Sequence, residues 1–121
     1  MTSCKEAIKD LEVDGKVAAE MEECRLCPIA NMKPLITKMD ASLSGLKKCK
    51  QLRLSSNQIQ KIEGLAGMDS LQILSLARNG IKKIEGLNEV ADTLEQLWVS
   101  YNSIASFAGI EKLNNLAVRL G

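Results

Sequence analysis

From Cys49 to Ile104 the apolar positions fall into a frame that recurs three times, and within each copy the spacing changes from two to three. In register the copies read C-K-Q-L-R-L-S-S-N-Q-I from Cys49, L-Q-I-L-S-L-A-R-N-G-I from Leu71 and L-E-Q-L-W-V-S-Y-N-S-I from Leu94. The pairs Leu52 and Leu54, Leu74 and Leu76, and Leu97 and Val99 alternate with other residues, which predicts a short strand in each copy with one face turned inward. Behind each strand follow Ile59-Ile62-Leu65-Met68, Ile81-Ile84-Leu87-Val90 and Ile104-Phe107-Ile110-Leu113. That three-residue spacing suits tight helical turns packed behind the strands.

Between strand and turns stands an asparagine in every copy: Asn57, Asn79 and Asn102, 22 and 23 residues apart. Frame and asparagine together match the L-x-x-L-x-L-x-x-N-x-L template of a leucine-rich repeat. One such unit cannot bury its apolar face alone, so stacking of copies must supply the core. Where the chain turns out of the strand, backbone groups leave the ladder, and an asparagine amide can satisfy them; a stacked ladder of Asn57, Asn79 and Asn102 is expected. The fold class is α/β: a leucine-rich-repeat solenoid with a short parallel sheet on its concave face, helical turns on its convex face and a helical cap at the amino end.

Residues 1–33 read as that cap. Ser3-Cys-Lys-Glu6 fits a capping box before Ala7, Ile8 and Leu11, predicting a helix over about residues 3–13 that Asp14-Gly15 ends. A second helix is expected from Lys16 to about Leu26, with Val17, Met21 and Cys24 at helical spacing and Pro28 barring continuation. Residues 34–48, with Leu35, Ile36, Met39, Leu43 and Leu46, read as a degenerate leading repeat with a short strand; residues 49–115 hold three regular repeats and 116–121 an incomplete fourth. At a spacing of 22 the fourth copy starts at Leu116 and sets Arg119 and Gly121 at inward positions; a slip of one residue sets Val118 and Leu120 there instead. Such an ending exposes a sheet edge, as in a shortened array or one that a partner covers.

The composition narrows function by exclusion. A formal net charge of +1 with both signs interspersed gives no general attraction for nucleic acid or anionic membranes. The first residues lack the apolar core of a secretion signal and no run approaches a membrane span, so a soluble intracellular protein is expected. Cys24 and Cys27 form a lone C-x-x-C in a chain without histidine, a weak metal signal; Cys49 stands at an apolar repeat position, where cysteine acts as a small buried hydrophobe. The four thiols fit a reducing compartment. There is no Gly-rich phosphate loop and no G-x-S-x-G; Glu22-Glu23 is expected on a solvated helix surface, and Lys47-Lys48 and Lys82-Lys83 on a solvated convex face, contact with a microtubule or another acidic partner being the alternative. No catalytic residue, cofactor site or metal site is expected.

The strand residues that point away from the core should line up across the sheet as Gln51, Ile73, Gln96 and then Val118; as Arg53, Ser75 and Trp98; as Ser55, Ala77 and Ser100; and as Ser56, Arg78 and Tyr101. Solvent-facing Ile73, Trp98 and Tyr101 beside Arg78 are residue types enriched at binding hot spots, so Arg53, Ile73, Arg78, Gln96, Trp98 and Tyr101 form the expected partner surface.

The short, isoleucine-rich repeats resemble the class that also builds a regulatory subunit of a nuclear protein phosphatase. K-M-D-A-S-L-S from Lys38, L-Q-I-L-S-L-A-R-N from Leu71 and D-T-L-E-Q-L-W-V-S-Y-N from Asp92 resemble more closely the leucine-rich-repeat light chains of outer-arm axonemal dynein, over about Ile36 to Leu116. In that family further repeats and a carboxyl-terminal helical region follow. The resemblance implies a light chain in the axoneme of a cilium or flagellum, bound to a dynein heavy chain near the microtubule-binding tip of its stalk and influencing ciliary beating, with direct contact to tubulin left open. The phosphatase-regulatory scaffold stays as the alternative.

Overall fold

The computed structural model describes residues 2–4, 8, 20–26, 35–105 and 117–119. Among the described residues seven short strands follow in chain order: β1 (Thr2–Ser3), β2 (Glu23–Arg25), β3 (Ile36–Lys38), β4 (Gln51–Arg53), β5 (Ile73–Ser75), β6 (Gln96–Trp98) and β7 (Ala117–Arg119). Strands β2, β4, β5, β6 and β7 form one parallel sheet in that order, and β1 pairs with β3 in a separate two-stranded parallel sheet. The architecture is that of a leucine-rich-repeat solenoid, and its register follows the apolar frame: Cys24 pairs with Leu52, Leu52 with Leu74, Leu74 with Leu97 and Leu97 with Val118.

Packing explains why the frame is so regular. Leu52, Leu54, Leu74, Leu76, Leu94 and Leu97 are fully buried and form one cluster with Ile59, Ile62, Ile81 and Ile84 of the return segments. Each such side chain, moved out of water, contributes roughly 1.5–3 kcal/mol, and none can be covered without the layers on either side. The return segments turn tightly, as the three-residue spacing predicts. A 3-10 turn spans Ala41–Gly45, where the Asp40 carboxylate accepts the Ser42 N–H at 2.9 Å, and another spans Asn88–Val90. In the middle layer the Met68 N–H donates to Leu65 O and the Leu71 N–H to Met68 O. Gly64 and Gly86 hold positive φ angles of 78° and 71° beneath the preceding layer, where a Cβ would collide with the backbone carbonyls of Asp40 and Ile62.

The asparagine ladder is complete across the three regular repeats. Each side-chain oxygen accepts an N–H from the return segment of the layer before it: Ile36 to Asn57 at 2.9 Å, Ile59 to Asn79 at 3.0 Å and Ile81 to Asn102 at 3.0 Å. Each amide NH2 donates both to its own strand end and to the strand end of the preceding layer; Asn79 reaches Leu76 O and Leu54 O, both at 3.0 Å. A single side chain therefore ties together two layers and two segments of one of them, and no buried side-chain nitrogen or oxygen among the described residues lacks a partner.

The structure corrects expectations at both ends. The stretch read as a helix to Leu26 carries β2 at Glu23–Arg25, with Leu26 N–H donating to Arg53 O at 2.8 Å, so Glu23 lies on a strand and not on a helix surface. Met21, Cys24 and Leu26 fill the places that Cys49, Leu52 and Leu54 fill one layer on, and burial of Cys24 and Leu26 against that layer outweighs the helical spacing. The stretch 34–48, read as a leading repeat with a short strand, does carry a short strand, β3, but Ile36 holds the return position of the layer whose sheet strand is β2. Thr2–Ser3, placed at the start of the first expected helix, pairs with β3. Cys4 and Ile8 have helical backbone, while the remainder of both expected amino-terminal helices lies outside the described residues. At the other end Val118, not Arg119, takes the register position of Leu97, and Ala117 rather than Val118 pairs with Gln96. Leu97 and Val118 are 21 residues apart, so the last return is shorter than a constant spacing of 22 allows, and the one-residue slip is the pairing that forms.

Candidate docking surface

On the face of the sheet turned away from the core, parallel pairing sets two files of residues. One runs Glu23, Gln51, Ile73 and Gln96, the other Arg25, Arg53, Ser75 and Trp98. The files change character along the solenoid. At the β2 end the Glu23 carboxylate receives Arg25 Nε at 2.8 Å and Arg53 Nε at 3.3 Å, and Arg53 also donates to Gln51 Oε1 at 2.9 Å. Arg25 first, and then Arg53, hold the Glu23 carboxyl below the usual carboxylate range. Toward β6 the face becomes apolar, with Ile73 and Trp98 both half-buried; Trp98 Nε1 donates to Gln96 Oε1 at 3.2 Å, which fixes the indole on the sheet.

A rim follows, one residue before each ladder asparagine. Ser56, Arg78 and Tyr101 have φ angles of 61°, 58° and 57°, in the left-handed region that non-glycine residues seldom occupy. They adopt it because the chain must leave the sheet abruptly for the asparagine to turn back toward both layers. The N–H groups of Ser56 and Arg78 still donate to Ala77 O and Ser100 O of the next layer, both at 2.9 Å. The turn throws the side chains outward. Arg78 Cζ lies 4.8 Å from the centre of the Tyr101 ring, a cation–π pair, and Tyr101, 73% exposed, is the exposed large hydrophobic residue among those described.

The sequence-predicted residues thus occupy one continuous side of the molecule by two routes, with Arg53, Ile73, Gln96 and Trp98 on strands and Arg78 and Tyr101 on the rim. The structure corrects the expected exposure of Ile73 and Trp98, which are both half-buried in the sheet surface; the residue paired with Trp98, Ser75, is small and itself buried. Glu23 and Arg25 were missed with β2. The E-C-R-L run from Glu23, which mirrors Q-L-R-L from Gln51, is the signal that finds them. Among the described residues no group of three or more His, Cys, Asp or Glu could hold a metal ion, and Cys27 of the C-x-x-C lies outside them. No helix among the described residues is long and apolar enough to cross a membrane.

Comparison with known proteins places the repeats. The family model described as Leucine Rich repeats (2 copies) matches residues 41–89. Dynein axonemal light chain 1 of Chlamydomonas reinhardtii is 56% identical over 99 residues, covering 82% of this chain and 49% of that protein. The protein of the same name from Danio rerio is 44% identical over 97 residues, covering 80% and 50%, and that from Ciona intestinalis is 51% identical over 97 residues, covering 79% and 50%. The chain spans about half the length of the curated relatives it matches. It is a leucine-rich-repeat solenoid whose sequence resembles dynein axonemal light chain 1.

Proposed function

We propose that this chain is a non-catalytic light chain of an outer-arm axonemal dynein, residing in the axoneme of a cilium or flagellum and docking its sheet face on a heavy chain near the microtubule-binding tip of the stalk. The observation that carries the reading is the passage of the concave face from a charged end at Arg25 and Arg53 to an apolar, aromatic end at Ile73, Trp98 and Tyr101, on a scaffold similar to proteins named as dynein light chains. An aromatic and an arginine on a rigid backbone offer binding area with little ordering cost. A platform of this kind carries no reaction; it biases the heavy chain by binding one of its conformations better than another.

The test is capture of a heavy-chain stalk-tip fragment by the purified chain. Arg78→Glu and Tyr101→Ala alter side chains that project from the rim, so each should leave the urea midpoint unchanged and weaken capture by about thirtyfold, equivalent to roughly 2 kcal/mol. Full capture by both variants removes this face from the interaction. Co-purification of a phosphatase catalytic subunit from ciliated cells, in place of a motor, would favour the alternative scaffold.

A further inference from the structure

We propose a second interaction surface, on the flank of the solenoid behind the asparagine ladder, that binds an extended glutamate-rich segment of a partner polypeptide through Lys38, Lys61, Lys82 and Lys83. The ladder itself sets the register. Ile36, Ile59 and Ile81 each donate their N–H to an asparagine of the next layer, and their carbonyls accept the N–H groups of Gln58, Gly80 and Ser103 at 2.8, 2.8 and 2.9 Å. Two residues after each isoleucine stand Lys38, Lys61 and Lys83, so these lysines form one file across three layers, with Lys82 in the neighbouring file beside Gln60 and Thr37.

All four lysines are exposed, and none makes an ion pair among the described residues, whereas Lys48 and Lys50 reach Glu20 and Glu22 at 2.7 and 3.5 Å. Beside the file runs a groove lined by Thr37, Lys38, Asn57, Gln58, Gln60, Asn79 and Gly80. No carboxylate is among those residues. Gly80 leaves the groove open where a side chain would stand, and while the Asn57 and Asn79 amides are held in the ladder, the Thr37 hydroxyl, the Gln58 and Gln60 amides and the Lys38 ammonium are donor types suited to carboxylate oxygens.

Spacing selects the occupant. Layers recur at roughly 4.8 Å, so the file spans about 10 Å, and an extended peptide that presents side chains on one face every ~6.8 Å brings two carboxylates along it. Asp40, Glu63 and Glu85 stand two residues beyond the lysines in each layer, making a parallel acidic file. A polypeptide can lay neutral residues over that file. A nucleic acid, with one negative charge per ~1.7 Å of duplex, cannot.

The test uses the full chain and a fluorescein-labelled octaglutamate peptide, read by anisotropy. Binding is expected at low salt, falling steeply toward physiological ionic strength as the Debye length shrinks to about 8 Å. The double variant Lys61→Glu/Lys83→Glu should lose at least ~tenfold in affinity, and Lys61→Gln/Lys83→Gln should lose less. Both should keep the urea midpoint, since all four side chains are solvated, and Tyr101→Ala should bind the peptide like the unaltered chain. No binding at low salt, equal binding by the glutamate variant, or tighter binding of an oligothymidylate of equal charge would overturn the proposal. Because the sheet face is untouched by these variants, the heavy-chain reading can fail or hold independently.

Discussion

The first layer of the solenoid and the layers built from the regular repeats follow one plan with different means. In the regular layers strand and return are contiguous: Ile59, Ile81 and Ile104 follow Leu54, Leu76 and Val99 by five positions, and an asparagine stands inside each interval. In the first layer Ile36 follows Leu26 by ten positions, and Cys24 replaces the strand leucine. Yet the layer is closed in the same way, because Asn57 of the following layer accepts the Ile36 N–H and donates to Leu26 O at 3.2 Å. Each bracket belongs to the layer after the one it closes. The first layer's own interval also holds an asparagine, Asn31, which lies outside the described residues; among the described residues the layer is closed by Asn57.

Removing a bracket should produce the largest loss. Asn79→Ala deletes the acceptor for Ile59 N–H and the donors to Leu54 O and Leu76 O, leaving backbone groups between two layers without partners. At about 1–3 kcal/mol per unsatisfied group, partly relieved by water at this half-buried position, the expected destabilisation is about 3–4 kcal/mol. Asn57→Ala should match it to within roughly 1 kcal/mol if the first layer is held as the others are. Urea unfolding of the two variants decides the matter. A much smaller loss at Asn57 would make the first layer a loosely attached cap.

A second substitution strikes between regular layers without touching a polar group. Gly86→Ala must fit a Cβ against the Ile62 carbonyl at a φ of 71°, so the layers have to part or the backbone has to change region. An expected cost of about 2 kcal/mol, read as a lowered urea midpoint with unchanged slope, would show that close approach of backbones is part of the stacking. Retention of full stability would show that neighbouring layers can slide apart at no cost.

What the sequence disclosed follows the same division. The strand leucines, the return isoleucines and the ladder were readable because one residue type does one task in each copy, and repetition separates that task from chance. Strand β2 was not, because Val17, Met21 and Cys24 also fit a helical period, and only comparison of Met21-Glu-Glu-Cys24-Arg-Leu26 with Cys49-Lys-Gln-Leu52-Arg-Leu54 breaks the tie. The pairing of β7 was readable only as one of two registers, because a return shortened by one residue breaks the fixed period, and Val118 takes the place of Leu97 as the slipped register has it. On the sheet face the identities of Arg53, Ile73, Gln96 and Trp98 were legible from alternation. Their depth was not, since the half-burial of Trp98 depends on a neighbouring strand's Ser75 and on its bond to Gln96. The outward throw of Arg78 and Tyr101 comes from a left-handed turn that the following asparagine imposes.

The smallest effect concerns Cys4, which belongs to the first layer alone. Its thiol is buried and donates to Lys38 O at 3.4 Å beside β3, and burial pushes its pKa up to about 11. A raised folded-state pKa means that the folded protein holds the proton more tightly than the unfolded chain does. The associated stability is therefore complete below the ordinary thiol value of 9.0 and is lost as pH rises from there toward about 11. Cys24 and Cys49 also titrate, the Cys49 thiol being held up by its contact with Cys24 and by burial, but they are present in both chains when the unaltered protein is compared with Cys4→Ala. The difference in unfolding free energy between these two should be constant up to about pH 8 and then shrink by roughly 1–2 kcal/mol by pH 11. A difference that stays flat across that range would mean that the β1–β3 pair opens in the folded protein and lets water reach the thiol. The first layer would then be held from the Asn57 side only, and its two halves would differ in strength as much as the layer as a whole differs from its neighbours.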